Sequence, residues 1–414
     1  MGGFALTAAS AASAAPNSAS ATSAAWESKV RRALALPEVQ SALARFDAIL
    51  EEAAAEIKAI SEVPAPPFHE AGRAAYVAER MKAAGLSDVH VDEGPNPIGV
   101  YPAASGKKGE ALLLAAHIDT VFPPGTDVTV VREGNVMKGA GVGDNASNVG
   151  AMLAVARVLK EEKFQLPREV IFVGTAGEEG LGDLRGMKQA IKTYKDRVRW
   201  CLPVDGSLGG VTHAAVGSRR YDIVVRGPGG HSYGAFGAPS AIHALGRMIA
   251  AIADIQVPER PRTTYNVGTI TGGTSVNTIA PEASMLLDMR SESADELARL
   301  EAEVKRRVDS VAKLSKVTYE MKLLGDRAAG VLPVEHDLPQ MVMAAGRALG
   351  IKPHPHASST DSNVPIGMGI PSVTVGTSHK GNSHRVDDWF DIPSLATGMK
   401  HLLLCVLLGT GYKE

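Results

Sequence analysis

The sequence predicts an α/β protein in which a smaller domain interrupts a larger one. Short apolar runs of the kind that form buried strands alternate with helical patterns before residue 213 and again after Gly330. This alternation is typical of a largely parallel sheet covered by helices. Between the two parts the predicted order is strand, helix, strand, strand, helix, strand, which is the split βαβ or ferredoxin-like arrangement. The 414 residues are enough for two or three domains.

The elements of the larger domain follow from periodicity and from residues that begin or end helices. Apolar residues spaced alternately by four and three over 39–60 predict an amphipathic helix that begins at Pro37. A second helix is predicted from about Ala71 to Ala84, before Gly85. The next predicted elements are the strands ALLLAAH, REVIFVGTA and WCLPVDG and the helix SNVGAMLAVARVLKEE.

The smaller domain is predicted at residues 213–327, inserted between residues 26–212 and 328–414 of the larger one. Its predicted strands are SRRYDIVVRG, TTYNVGTI, ASMLLDMR and KVTYEMKLL, and its helices are PSAIHALGRMIAAIAD and ADELARLEAEVKRRVDSVA. After it, the larger domain resumes with a helix near 338–349, the strand PSVTVG and a last helix from about Pro393.

The first 25 residues differ from the rest, because 16 of them are Ala or Ser and none is charged. We expect either a disordered leader or the remnant of a secretory signal. The second alternative would place the protein in the periplasm or outside the cell; otherwise the cytoplasm is favoured. We expect no other segment to reach the roughly 18 apolar residues of a membrane span.

The balance of charge, with 43 Lys and Arg against 45 Asp and Glu, argues against nucleic acid as the main partner. The two cysteines, Cys201 and Cys405, are too few for a disulfide scaffold or a cysteine-type zinc ribbon. A small molecule is therefore the expected partner.

Acidic and imidazole side chains stand where predicted strands end, which is where open α/β sheets bind ligands. These residues are His117 and Asp119 after ALLLAA, Asp144 in GVGDN, Glu178 and Glu179 after REVIFVGTA, Asp205 after CLPV, and His384 in NSHRVDDWF. Histidine and carboxylate without cysteine form a ligand set for zinc or a similar divalent ion. Of the two adjacent glutamates, one can bind metal while the other moves a proton.

Nine motifs together resemble those of the dinuclear-zinc peptidase group that contains peptidase T, glutamate carboxypeptidase and the aminoacylases. They are HIDTV, GVGDN, GTAGEEG, PVDG, GPGGHS, SVNTIAP, DMR, STDSN and SHRVDDWF, in family order over about 49–408. The chain looks closest to the peptidase T-like branch. It departs from many members at Asn145-Ala146-Ser147, where they carry an acidic residue or Met and then Lys-Gly.

The resemblance implies a zinc-exopeptidase-like catalytic domain, a lid or dimerisation domain, and a role for each site residue. His117 and Asp205 would hold one metal, Glu179 and His384 the other, and Asp144 would bridge them. Glu178 would be the general base and Asp119 would orient His117. In the lid, His231 would reach the site of a partner subunit and stabilise the oxyanion, Asn277 would assist, and Arg290 would bind a substrate carboxylate.

The implied protein is a homodimeric metallo-exopeptidase or amidohydrolase with two Zn²⁺ per subunit, or Co²⁺ or Mn²⁺ in their place. It would cleave a peptide bond of small peptides, as an aminopeptidase or di/tripeptidase, through a metal-bridging water. The alternative is an N-acyl-amino-acid deacylase or carboxypeptidase on the same site, and a third possibility is a non-catalytic binding protein. His354 and His356, in a proline-containing stretch that leads into STDSN, are interpreted as part of a solvated connecting loop rather than as a metal pair.

Overall fold

The computed structural model describes residues 18–413. Residues 1–17 of the predicted leader therefore lie outside the described residues. Its remaining residues, 18–25, belong to the first helix. In the described part of the chain the helices are α1 (Ser18–Leu34), α2 (Pro37–Ala48), α3 (Leu50–Ser61), α4 (Ala71–Ala83), α5 (Ser147–Glu161), α6 (Arg185–Tyr194), α7 (Ala241–Ala253), α8 (Ala294–Ser315), α9 (Asp337–Ala348), α10 (Asn363–Gly367) and α11 (Ile392–Thr410).

The strands fall into one large sheet and three smaller ones. In chain order they are β1 (Ser87–Val91), β2 (Pro97–Tyr101), β3 (Ala111–His117), β4 (Val131–Glu133), β5 (Val136–Lys138), β6 (Glu169–Thr175), β7 (Val198–Leu208), β8 (Gly210–Ala215), β9 (Gly217–Arg226), β10 (Gly230–His231), β11 (Thr263–Gly272), β12 (Thr278–Ile279), β13 (Glu282–Ser291), β14 (Thr318–Arg327), β15 (Gly330–Val331), β16 (His354–Ser358), β17 (Thr374–Gly376), β18 (Lys380–Gly381) and β19 (Trp389–Asp391).

The large sheet has the order β1-β2-β6-β3-β7-β17-β8-β15, with β16 also paired to β8. The contiguous parallel strands are β6, β3, β7 and β17, and the flanking pairs β1–β2, β2–β6, β17–β8 and β8–β15 are antiparallel. The sheet is thus more mixed than the largely parallel sheet expected. One reason is the link between β7 and β8, which is the single residue Gly209 at φ 91°. A parallel crossover needs a dozen or more residues, so this short link reverses the direction of the chain.

The second sheet has the order β11-β13-β9-β14, all antiparallel. Helices α7 and α8 pack on it through their own apolar core, which includes Ile223, Leu245, Leu287 and Val304. This is the predicted ferredoxin-like order, so the predicted fold class is confirmed. We propose residues 213–327 as the inserted domain, although β8 keeps the chain in the large sheet as far as Ala215.

Helices α1, α6 and α10 have no counterpart among the predicted elements, and two of the predicted helices differ from expectation. The single helix predicted from Pro37 is two helices, α2 and α3, separated at Ile49 (φ −98°, ψ 7°). The apolar spacing did not reveal the break because Phe46, Ile49 and Ile57 on both sides of it are buried in one core.

Helix α11 is long and apolar enough to cross a membrane by length and composition, but 78% of its apolar window is buried inside the protein, which is the environment of a core helix.

The buried side chain of Arg73 on α4 binds the backbone next to His117, at the end of β3. Its guanidinium donates to the carbonyl oxygens of Val63, Ile118 and Ser61 at 2.7–2.9 Å. Burial lowers the pKa of Arg73 to about 10, against the attraction of Asp119, so the group stays charged at neutral pH. Arg73 therefore ties the residue after β3 to the loop that follows α3.

We predict that Arg73→Met lowers the free energy of unfolding by roughly 3–5 kcal/mol, because three buried carbonyls lose their donor. Urea unfolding followed by circular dichroism measures this change. The control is Arg80→Met on the same helix, whose side chain is 44% exposed and pairs with Glu56; it should cost less than about 1 kcal/mol. Equal losses in the two variants would contradict the assignment.

Candidate metal centre

The predicted site residues meet at the carboxyl ends of the central parallel strands. His117 ends β3, Glu178 and Glu179 follow β6, and Asp205 lies in β7. Asp144 lies in the irregular turn Val142–Ala146 before α5, and His384 lies between β18 and β19. All six side chains line one cavity of about 480 Å³.

One group of possible ligands comprises His117, Asp144 and Asp205, whose donor atoms lie within 4.8 Å of one another. His117 Nε2 is 3.2 Å from Asp144 Oδ1 and 4.0 Å from Asp205 Oδ1. Burial alone would lower the pKa of His117, but the nearby carboxylates of Asp119, Asp144 and Asp205 hold it well above its usual value. The imidazole therefore lies in a strongly negative environment that attracts a cation.

A second group comprises Asp144, Glu179 and His384. His384 Nε2 is 3.1 Å from Glu179 Oε1 and 3.6 Å from Asp144 Oδ2. The hydrogen bond to Glu179 raises the pKa of His384 to about 9. Asp144 thus directs Oδ1 to the first group and Oδ2 to the second. Imidazole and carboxylate groups arranged in this way have the chemistry of a divalent metal centre.

Asp119 holds the backbone that carries the two adjacent glutamates. It is fully buried, and its two carboxylate oxygens accept the backbone N–H groups of Glu178 (3.0 Å) and Glu179 (2.9 Å). His117 Nδ1 is 3.2 Å from the backbone oxygen of Asp119 and 3.7 Å from its carboxylate. Burial would raise the pKa of Asp119, but the His117 contact and the two backbone donors lower it. Asp119 therefore positions the two glutamates as well as the imidazole.

Glu178 is buried beside both ligand groups, at 6% exposure. Burial raises its pKa to about 8, although Arg327 opposes the shift. Arg327 Nη1 donates to Glu178 Oε1 and to Ser359 Oγ, both at 3.1 Å, and Nη2 donates to the carbonyl of Glu178. A carboxylate whose pKa lies near neutrality suits a group that accepts and returns a proton.

Lys380 is a site residue that the sequence analysis missed. Its ammonium lies 3.5 Å from Asp144 Oδ1 and 3.4 Å from Asp205 Oδ1. Burial would lower the pKa of Lys380, but these carboxylates outweigh it and raise the pKa, so the group is a cation. Its position four residues before His384 in SHKGNSH was the signal available for finding it.

Two further buried carboxylates were also missed. Asp388 accepts the backbone N–H groups of Gly143 and Asp144, both at 2.9 Å, and so holds the turn that carries Asp144. Asp361, in STDSN, accepts the hydroxyl of Thr175 at 2.5 Å through Oδ2. Its Oδ1 is buried without a hydrogen-bond partner among the described residues, and burial raises the pKa of Asp361 to about 6.

The lid residues divide into those that line the cavity and those that do not. Arg290 lines it and donates to Asp288 at 2.7 Å, while Arg220 binds the other oxygen of Asp288 at 3.0 Å. His231 and Asn277 are exposed and are not among the residues that line this cavity. His231 Nδ1 accepts the backbone N–H groups of residues 233 and 234, so a neutral ring carries its proton on Nε2.

The segment with His354 and His356 is a strand, β16, rather than the expected loop, because it pairs in parallel with β8. The two rings stack at 5.6 Å. His356 lines the cavity wall and is 3.0 Å from Thr212 Oγ1. Neither ring belongs to a described ligand group.

Comparison with known proteins gives a family match over most of the chain. The model of peptidase family M20/M25/M40 matches residues 113–407. A curated relative, the succinyl-diaminopimelate desuccinylase of Methylobacterium sp. (strain 4-46), is 27% identical over 306 residues, which are 68% of this chain and 76% of the relative.

Solved structures share the fold at lower identity. The aminopeptidase PepT from Bacillus cereus ATCC 10987 superposes with a TM-score of 0.71 at 21% identity, over 86% of this chain and 98% of PepT. A tripeptidase from Staphylococcus aureus subsp. aureus Mu50 superposes with a TM-score of 0.75 at 21% identity, over 87% of this chain and 98% of that protein.

We predict that Asp361→Asn stabilises the metal-free protein at pH 8 but not at pH 4. The folded-state pKa of Asp361, about 6, lies above its usual value of 3.8, so ionisation disfavours the folded state increasingly as pH rises from about 4 through 6. Removing the charge should then add roughly 2–3 kcal/mol to the free energy of unfolding at pH 8. Urea midpoints at the two pH values measure this; an equal difference at both would exclude ionisation as the cause.

Proposed function

The chain belongs to peptidase family M20/M25/M40 and is a hydrolase of peptide or amide bonds; from that premise we propose that it is a dinuclear-zinc exopeptidase that cleaves small peptides. The supporting observation is Asp144, whose two carboxylate oxygens face two separate groups of ligands. We assign His117 and Asp205 to one zinc ion, Glu179 and His384 to the other, and Asp144 to both. Co²⁺ and Mn²⁺ would suit the same donors.

Bound zinc would supply Lewis-acid polarisation of the scissile carbonyl and a lowered pKa for water. Glu178 is then the general base: it takes the proton of the attacking water and gives it to the leaving amine. Arg327 holds Glu178 by Oε1, so the direction of the carboxylate is set before substrate arrives. Asp119 orders the backbone of both glutamates.

The lid residues bind the rest of the substrate. Arg290 and Arg220 share one carboxylate, Asp288, so the pair keeps an excess positive charge that suits a free substrate carboxylate. A peptide and an N-acyl amino acid both offer such a group. The arginines, and the desuccinylase among the relatives, therefore also support the second candidate, an N-acyl-amino-acid deacylase or carboxypeptidase.

We further propose that the protein acts as a homodimer. His231 is exposed on β10 and does not line its own cavity, so its Nε2–H can serve the site of a second copy. There it would donate to the developing oxyanion, and Asn277, close in space through the β10–β12 pairing, would assist.

We predict that the zinc-loaded protein hydrolyses free di- or tripeptides and that Glu178→Gln lowers kcat by about 10²–10⁴-fold without loss of zinc. Initial rates on free tripeptides and on N-acetyl amino acids, with metal analysis of each variant, measure this. Activity on the acylated set alone would favour the second candidate. The control is Glu79→Gln, an exposed residue of α4; unchanged turnover in Glu178→Gln would contradict the role of the base.

We predict that His231→Ala lowers kcat by about 10²–10³-fold and that mixing it with Glu178→Gln restores activity. Each mixed dimer would contain one intact site, formed by Glu178 of one chain and His231 of the other, so an equimolar mixture should regain about one quarter of wild-type activity. The mixture is assayed after subunit exchange. Inactive mixtures with confirmed exchange would place His231 outside the partner site.

A further inference from the structure

Lys380 places a fixed positive charge inside one of the two ligand groups. Its Nζ approaches Asp144 Oδ1 and Asp205 Oδ1 and donates to the carbonyl of Gly143 at 3.2 Å. The side chain is 6% exposed, so solvent screens its charge weakly. These two carboxylate oxygens are the same atoms that face His117 Nε2 in the first ligand group.

The second ligand group meets this charge only through Asp144, the residue that belongs to both groups. Among the described residues, the Lys380 ammonium makes hydrogen bonds to the carbonyl of Gly143, to Asp144 Oδ1 and to Asp205 Oδ1. It makes none to Glu179 or His384. Asp144 Oδ2, which faces His384 at 3.6 Å, is not among the atoms that Lys380 contacts. The ammonium is therefore specific to the group formed with His117.

We propose that Lys380 competes with a divalent cation for the His117 group and makes the two metal sites unequal, so that the site at His384 fills first. This inference rests on the proposed function, because it concerns the same two sites. A metal ion and an ammonium cannot both use Asp144 Oδ1 and Asp205 Oδ1 without close cation–cation repulsion, which is strong where water is excluded. The affinity of a metal site also depends on the charge of its ligands, and Lys380 offsets one carboxylate charge of the first group.

Solvent exposure alone would give the opposite order. His384 has a side chain that is 58% exposed, whereas that of His117 is 2% exposed, and a buried site is better ordered. The order of filling therefore tests whether the Lys380 charge or the burial of the ligands decides the affinity.

The test is titration of the metal-free protein with Zn²⁺ in competition with a chelator, and with Co²⁺ followed by its visible absorption. We expect two binding steps in the wild type. Lys380→Met should tighten the weaker step by about 10- to 100-fold and change the tighter step much less, because the two groups share only Asp144. Asp205→Asn should abolish the weaker step, and His384→Ala the tighter one.

Three controls separate charge from folding. Lys380→Arg keeps the charge and should keep the two steps unequal, and Lys380→Gln removes the charge but keeps a donor for Gly143 if Lys380→Met fails to fold. Lys58 pairs with Glu62 and is not among the residues that line the site cavity. Its replacement, Lys58→Met, should therefore change neither binding step.

Two equal steps in the wild type, an unchanged weaker step in both neutral Lys380 variants, or loss of the tighter step in Asp205→Asn would each overturn the inference. All three results would leave the proposed function standing, because metal would still bind at both sites. Absence of any Zn²⁺ or Co²⁺ binding by the folded wild type would instead overturn the proposed function itself.

Discussion

The crowding of carboxylates at one end of the parallel strands is the constraint on which the rest of the site depends. Like charges so close together, in a region of low solvent exposure, repel one another unless each has a compensating partner. The partners fall into two kinds. Asp119 and Asp388 each accept two backbone N–H groups, whereas Asp144 and Asp205 face side-chain cations. The carboxylates of Asp119 and Asp388 therefore hold the backbone of the site in place. Those of Asp144 and Asp205 leave their oxygens accessible to exchangeable cations.

Much of this arrangement could be predicted from the sequence because strand ends and acidic residues coincide in it. Residues that end β3 and follow β6 must lie near one another in a parallel pair, so His117 and Glu178 could be placed together without coordinates. Arg327 could not, because it reaches the site from an inserted strand whose position relative to the large sheet no local pattern specifies. For Lys380 the one local signal was its closeness in sequence to His384. The mixed order of the sheet was not predicted because the sequence analysis contained no strand at Gly210–Ala215, where β8 lies.

The insertion contacts the large domain at the loop that follows β6 and carries Glu178 and Gly180. Arg327, the last residue of β14, binds both the side chain and the carbonyl of Glu178, and Arg220 of β9 donates to the carbonyl of Gly180. Strands β9 and β14 are adjacent in the smaller sheet. Motion of that sheet relative to the large one has to carry these contacts along or break them, so the position of the lid and the direction of the Glu178 carboxylate are linked.

The cavity has a side rich in guanidinium groups, and this limits what can bind productively. Its carboxylates and imidazoles come from the larger domain, with the Lys380 ammonium among them, while Arg220, Arg290 and Arg327 come from the strands of the smaller sheet. Because Arg220 and Arg290 share Asp288 alone, this side keeps a net positive charge. In the proposed function, a substrate carboxylate held there would fix how far its neighbouring amide extends toward Glu178. Only a bond a short distance from a chain end would then reach the carboxylates, which is why the proposal is an exopeptidase rather than an enzyme that cuts within long chains.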